Sequence, residues 1–171
     1  MAITPPEVEN LEDWAKRAIE RGATALVIRL SRGISAGDLE RWACNLPENL
    51  PWIVHASWAV QPYGWGMHFP APPAPPGSKI TPSYLYGQSC HNEEEVATAS
   101  KWASYVWIGS FFPTPSHPER GECLRLEILG KLRKQYPTLP LVAIGGIDEE
   151  EKVKQILAAG AWGFAGIRYF L

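Results

Sequence analysis

Short, unbroken apolar runs recur along this chain, and most are followed by a stretch with helical spacing. Ala25-Leu26-Val27-Ile28-Arg29-Leu30 is continuous and does not alternate, which is the pattern of a strand buried on both faces. Trp52–His55, Trp65–Phe69, Leu85–Ser89, Tyr105–Ile108, Leu141–Ile144 and Gly163–Ile167 read as strands too, and Ala2-Ile3-Thr4 makes a clipped first one. Between them, Glu7 to Arg21 places Val8, Leu11, Ala15, Ala18 and Ile19 at three- and four-residue spacing, with Pro5 and Pro6 ahead and Gly22 behind. Further helices are predicted over Asp38–Leu46, after Asn92 as cap into Glu93, Glu94 and Glu95, over Gly121–Tyr136, and from Asp148 as cap to Ala159 with Gly160 as stop. Alternating βα units with buried parallel strands mean an open doubly wound sheet or a closed ring, and eight near-equal repeats favour a compact (β/α)8 TIM barrel.

At 171 residues the chain is expected to be one domain, 1–171, yet it is short for such a barrel, which rarely falls below about 200. The shortfall has three places. The first strand is clipped, and prolines at 70, 72, 73, 75, 76 and 82 put an extended loop where the fourth helix belongs. No sequence remains after Phe170-Leu171 for an eighth helix. That end leaves the outer face of strands 8 and 1 bare, which predicts a covering partner subunit, a homodimer.

Composition excludes several classes. Lys+Arg 16 against Asp+Glu 18 supplies no basic face, so no nucleic-acid partner is expected. No apolar run reaches the ~18 residues of a membrane span, and the first residues show no secretory pattern. Cys44, Cys90 and Cys123 are odd in number and scattered, which fits reduced thiols and a cytoplasmic location.

In a barrel of this kind the chemistry gathers at the C-terminal ends of the strands. There the chain places Arg29, Ser31 and Arg32, then His55 and Ser57, His68, then Ser89, Cys90 and His91, then Thr114, Ser116 and His117, and finally Gly145-Gly146 and Arg168. Gly145-Gly146 reads either as a tight turn or as an anion site, because glycines let a backbone approach a phosphate and the loops after strands 7 and 8 commonly bind one. Arg168 at the neighbouring strand end could add a charge-assisted contact. His91 reads as a general acid/base or as a loop histidine bonding a carbonyl, since imidazole titrates near neutral pH. A three-histidine zinc site is disfavoured because no two histidines stand at ligand spacing. The eight Trp residues read mostly as core.

Three segments then carry a resemblance: Tyr86-Gly87-Gln88-Ser89-Cys90-His91-Asn92-Glu93-Glu94-Glu95, Tyr105-Val106-Trp107-Ile108-Gly109-Ser110-Phe111-Phe112-Pro113-Thr114-Pro115-Ser116, and Ala143-Ile144-Gly145-Gly146-Ile147. In order and spacing they resemble the thiamine phosphate synthase and TenI family, most strongly over Leu85 to Ile167. The resemblance implies a (β/α)8 barrel acting on a thiazole phosphate in thiamine biosynthesis. Two activities occur there: a Mg²⁺-dependent synthase, and a TenI-type tautomerase that moves a proton to aromatise a thiazole carboxylate phosphate.

The synthase pattern supplies aspartates after strands 3 and 4, whereas this chain has His55-Ala56 and a proline loop without a carboxylate. The strand-2 pattern of glutamine, arginine and lysine becomes Val27, Arg29 and Ser31, and the lysine expected beyond Ser116 is His117. The thiazole side is better kept. The resemblance implies substrate contacts from Arg29, His55, Ser89, Thr114, Ser116 and His117, a phosphate grip from Gly145, Gly146, Ile167 and Arg168 (which replaces a family serine), and a proton shuttle in His91. The expectation is a thiazole tautomerase with no cofactor and a small phosphate substrate. The alternatives are a divergent synthase, which would use Mg²⁺, and a non-catalytic thiazole-phosphate-binding protein.

Overall fold

The computed structural model describes residues 1–29, 37, 41–42, 44, 50–55, 64–71, 84–114 and 122–171. Its strands are β1 (Ala2–Ile3), β2 (Leu26–Ile28), β3 (Trp52–His55), β4 (Gly66–Phe69), β5 (Tyr86–Cys90), β6 (Tyr105–Gly109), β7 (Leu141–Ile144) and β8 (Gly163–Ala165). They pair in sequence order, all parallel. A bridge between Ala2 and Gly166 brings the last strand back to the first, so the eightfold barrel expected from the repeats is the fold.

Side-chain alternation along the strands sorts the apolar residues into layers. Ile3, Val27, Ile53, Tyr105, Trp107, Val142 and Ala165 fill the interior, while Leu26, Ile28, Val54, Val106, Ile108, Leu141 and Ala143 face the helices. Because both faces are covered, the strands needed no polar alternation, which is why they read as continuous runs.

Helices at Leu11–Glu20, Glu93–Ala99, Glu127–Gln135 and Glu150–Ala158 surround the described barrel, and none is long and apolar enough to cross a membrane. The first starts at Leu11, four residues later than its periodicity suggests, because Asn10 caps it through a bond from the Asp13 amide. Asn92 caps the second as expected, accepting from the Glu95 amide at 2.9 Å. The helix predicted from Gly121 begins at Glu127: the Leu124 amide donates to Ser110 O at 2.8 Å and holds the preceding segment along the β6 exit. Asp148 does not cap the last helix. Its carboxylate is taken by Lys152 at 2.7 Å and Arg168 at 3.2 Å, and Glu149 stands at the cap position with no side-chain capping bond. Most of the helix predicted over Asp38–Leu46, and most of the proline loop, lie outside the described residues; Arg41 and Trp42 are helical. Where that loop leaves β4, the Gln88 amide donates to Pro70 O at 2.8 Å and pins it to β5.

The outer face of β8 and β1 is not bare, which corrects the reason given for a homodimer. The chain ends in a 3₁₀ turn, Arg168–Phe170, that does the work of an eighth helix. Phe170 is 2% exposed, stacks on Phe164 at 5.5 Å between centroids, and joins Ala2, Leu11 and Trp14 in one cluster. Phe170→Ala should therefore cost about 3 kcal/mol, as deletion of a buried aromatic does, measured by urea unfolding. A loss below about 0.5 kcal/mol would mean the turn is dispensable to the packing.

Candidate active site

A cavity of ≈ 450 Å³ opens at the C-terminal ends of the strands. Of the residues named from sequence, Arg29, His55, Ser89, His91, Thr114, Gly145, Gly146, Ile167 and Arg168 all line it. Ser116 and His117 lie outside the described residues. Sequence reading missed Ser110, Trp107 and Pro5-Pro6 in the wall. It also missed two carboxylates behind the wall, Glu95 and Asp148, although Glu95 stands one helical turn beyond His91 and could have been found from that spacing.

His91 follows β5 directly. Its Nδ1 lies 3.2 Å from Glu95 Oε2, and the same oxygen accepts the His91 backbone amide at 2.7 Å. Asn92 starts the helix that carries Glu95 and so fixes the carboxylate in place. A carboxylate on Nδ1 favours the proton there and leaves Nε2 as the acceptor, which is the state a general base requires.

On the opposite side, Gly145 and Gly146 end β7 with φ of 96° and 69°. A Cβ on Gly145 would meet Ser110 at 2.5 Å, and one on Gly146 would meet the carbonyls of Phe112 and Pro113 at 2.6 Å. Residues 110–113 are laid directly over the turn, and the Phe112 amide donates to Gly145 O at 3.2 Å. The backbone thus lines the cavity with no side chain between. Arg168, at 42% side-chain exposure, is held beside this turn by Asp148. Asp148 also bonds Lys152, which first among several causes keeps its carboxyl below the ordinary range.

Arg29 leaves β2 with its amide donating to Thr4 Oγ1 at 2.7 Å. Beside it, His55 and His68 are register partners on β3 and β4, with rings 5.9 Å apart. Burial, with Arg29 adding, pushes His55 down to about 4. Burial also pushes His68 well below the usual imidazole range, helped by His55 and Arg29. No Asp or Glu side chain lines the described cavity, and among the described residues no three His, Cys, Asp or Glu side chains cluster as a metal site. Two guanidiniums, Arg29 and Arg168, line it together with the imidazoles of His55 and His91 and bare backbone.

The family model described as thiamine monophosphate synthase (TMP-TENI) matches residues 1–170. A thiamine-phosphate synthase of Koribacter versatilis is 31% identical over 166 residues, 91% of this chain and 77% of the relative. A putative thiamine-phosphate synthase 2 of Aquifex aeolicus is 34% identical over 109 residues, 62% of this chain and 57% of the relative. The thiamine-phosphate synthase of Anoxybacillus flavithermus is 41% identical over 90 residues, 52% of this chain and 41% of the relative. The chain thus spans about half the length of these last two. Among solved structures, thiamine phosphate pyrophosphorylase from Bacteroides thetaiotaomicron superposes with a TM-score of 0.65 at 20% identity, covering 98% of this chain and 82% of that one, which shows the shared fold.

The buried imidazoles set a pH dependence. Their folded pKa values lie below the unfolded value of about 6.5, so between the two the unfolded chain binds more protons. Stability is therefore full above pH ~6.5 and falls towards pH 4, by on the order of 3 kcal/mol for His55 alone. Asp148, whose carboxyl is lowered, adds its loss only at more acid pH. Urea unfolding at pH 7 and 4.5 measures the difference, and equal stability at both would refute the neutral, buried assignment.

Proposed function

This chain belongs to the thiamine monophosphate synthase family, and on that footing we propose that it is a TenI-type thiazole tautomerase, working by metal-independent proton transfer on a thiazole carboxylate phosphate. One observation carries the choice: the cavity has a base held by a carboxylate and no Asp or Glu side chain in its described wall. Mg²⁺ requires hard oxygen ligands, and a pyrophosphate substrate requires the metal to neutralise it. The sequence has no Asp or Glu between Glu48 and Glu93, so the loops after β3 and β4 have none to offer. The residues present do not fit a magnesium site, and no step is routed through one.

A proton transfer asks for less. The Gly145-Gly146 turn, Ile167 and Arg168 take the phosphate, where an exposed backbone and a guanidinium suit a dianion. Arg29 and His55, with Ser89, take the substrate carboxylate. Thr114 lies in the wall between these ends, beyond β6. His91 Nε2 accepts the ring proton and returns it at a second position, leaving the ring aromatic. Glu95 steadies the imidazolium formed in between.

The names of the relatives favour the synthase as a second reading, and one assay separates the two. Proton NMR of the thiazole carboxylate phosphate should show conversion at a rate unchanged by EDTA. His91→Ala should lower it by at least about 100-fold, and Glu95→Gln by about tenfold. Thiamine phosphate formation from pyrimidine pyrophosphate and thiazole phosphate, dependent on Mg²⁺, would instead establish the synthase. Tight binding without either product would leave a binding protein.

A further inference from the structure

Beneath the cavity floor runs a chain of three hydrogen-bonding groups, of which the site described above uses only Ser89. His68 on β4 is fully buried. Its Nδ1 lies 3.1 Å from the Tyr105 hydroxyl on β6, and its Nε2 lies 2.9 Å from Ser89 Oγ on β5. Trp107 stacks on the imidazole with 3.6 Å between centroids and fixes its plane. Strand register explains how β4 and β6 meet across β5. His68 pairs with Gly87, and Gly87 pairs with Tyr105. A Cβ on Gly87 would run into both the Tyr105 ring and His68 Nδ1, so this glycine keeps open the space in which they bond. Among the described residues, His68 is the hydrogen-bond partner of both side-chain hydroxyls, and neither has a second.

Counting protons gives the chain a direction. Neutral imidazole has one donor and one acceptor. With the proton on Nδ1, the ring would donate to Tyr105, and the phenolic proton would be left buried without an acceptor. An imidazolium would strand the same proton and place a second charge beside His55 on β3 and Arg29 on β2. With the proton on Nε2 every donor is matched. Tyr105 donates to Nδ1, Nε2 donates to Ser89 Oγ, and the serine proton is left for the cavity that Ser89 lines.

We propose that His68, its tautomer set by Tyr105, is a positioning residue that makes Ser89 an obligate hydrogen-bond donor, so that the pocket selects ligands presenting an acceptor atom at Ser89. With Arg29 and His55 on the same side and no Asp or Glu side chain in the described wall, that acceptor is an anionic oxygen of the carboxylate class. The choice of carboxylate rests on the tautomerase reading; the direction of the chain does not.

Histidine-selective ¹⁵N NMR on the full, ligand-free chain reads the tautomer directly. The expected result at pH 7 is a neutral His68 protonated on Nε2, with Tyr105→Phe mixing the two tautomers. A proton on Nδ1 in the wild type, or on both nitrogens, overturns the proposal. Calorimetry with the thiazole carboxylate phosphate is the second arm. Ser89→Ala and His68→Leu should each weaken binding about tenfold, and the double variant no further than either alone. His68→Gln can accept from Tyr105 and donate to Ser89, so it should stay within about threefold of wild type and shows that the fold tolerates the change. Additive losses in the double variant, or unaltered binding by a folded His68→Leu, would overturn it. If wild type neither binds nor converts this compound, the tautomerase reading falls, and the NMR arm still decides His68.

Discussion

Three main-chain hydrogen bonds, Met1 N to Phe164 O at 2.8 Å, Ile3 N to Gly166 O at 2.9 Å and Gly166 N to Met1 O at 3.2 Å, join the first strand to the last, and the cavity exists because they do. A strand of two residues gives that seam little ladder to hold it. The seam is held instead by what lies on either side. Inside, Ile3 and Ala165 pack with Val27 and Trp107; outside, Phe170, Leu11 and Trp14 cover Ala2. The same joint sets the rim, because Thr4, just beyond β1, anchors Arg29, while Ile167 and Arg168 follow directly from Gly166. Packing at the seam and geometry at the site are thus one problem with one solution.

Much of this was legible because it follows from local chemistry. A parallel strand covered on both faces is apolar at most positions, so β3 and β7 could be read to the residue. The placing of polar residues at the strand ends followed once the ring was inferred, which is why the rim residues named from sequence and described by the structure line the cavity, all but His68, which is buried beneath it. What could not be read is what distant segments do to one another. Asp148 has a capping residue's chemistry, but Lys152 and Arg168 compete for it, and two cations outweigh one amide. The late start at Glu127 depends on Ser110, reached only through the fold. Phe170 looks like a ragged end in sequence and becomes a lid only when β8 lies beside β1. The glycine pair is a subtler case: the close approach of residues 110–113 already demands it, so Gly-Gly alone was never evidence of phosphate.

His68 shows the limit from the other side. A histidine in an apolar strand usually reads as a satisfied core residue, and this one is satisfied, on both nitrogens. Its partners come from β5 and β6, and they reach it only because Gly87 has no side chain. Periodicity places His68 on the inward face but cannot say that a phenol and a serine await it there.

These observations meet in the electrostatics of the rim. Arg29, His55 and Arg168 face one cavity whose described wall has no Asp or Glu side chain. Arg168 is balanced from behind by Asp148, and His91 by Glu95, each partner standing outside the cavity. The countercharges therefore steady the groups at the rim without competing for what enters between them. Toward Arg29 the arrangement differs, because His55 and His68 give up their protons instead of sharing the space with a carboxylate. A neutral imidazole beside a guanidinium costs little while the cavity is empty. It can accept charge when an anion arrives, because an opposite charge nearby raises the imidazole pKa. The buried histidines thus leave the Arg29 guanidinium on that side of the described wall without a side-chain carboxylate beside it.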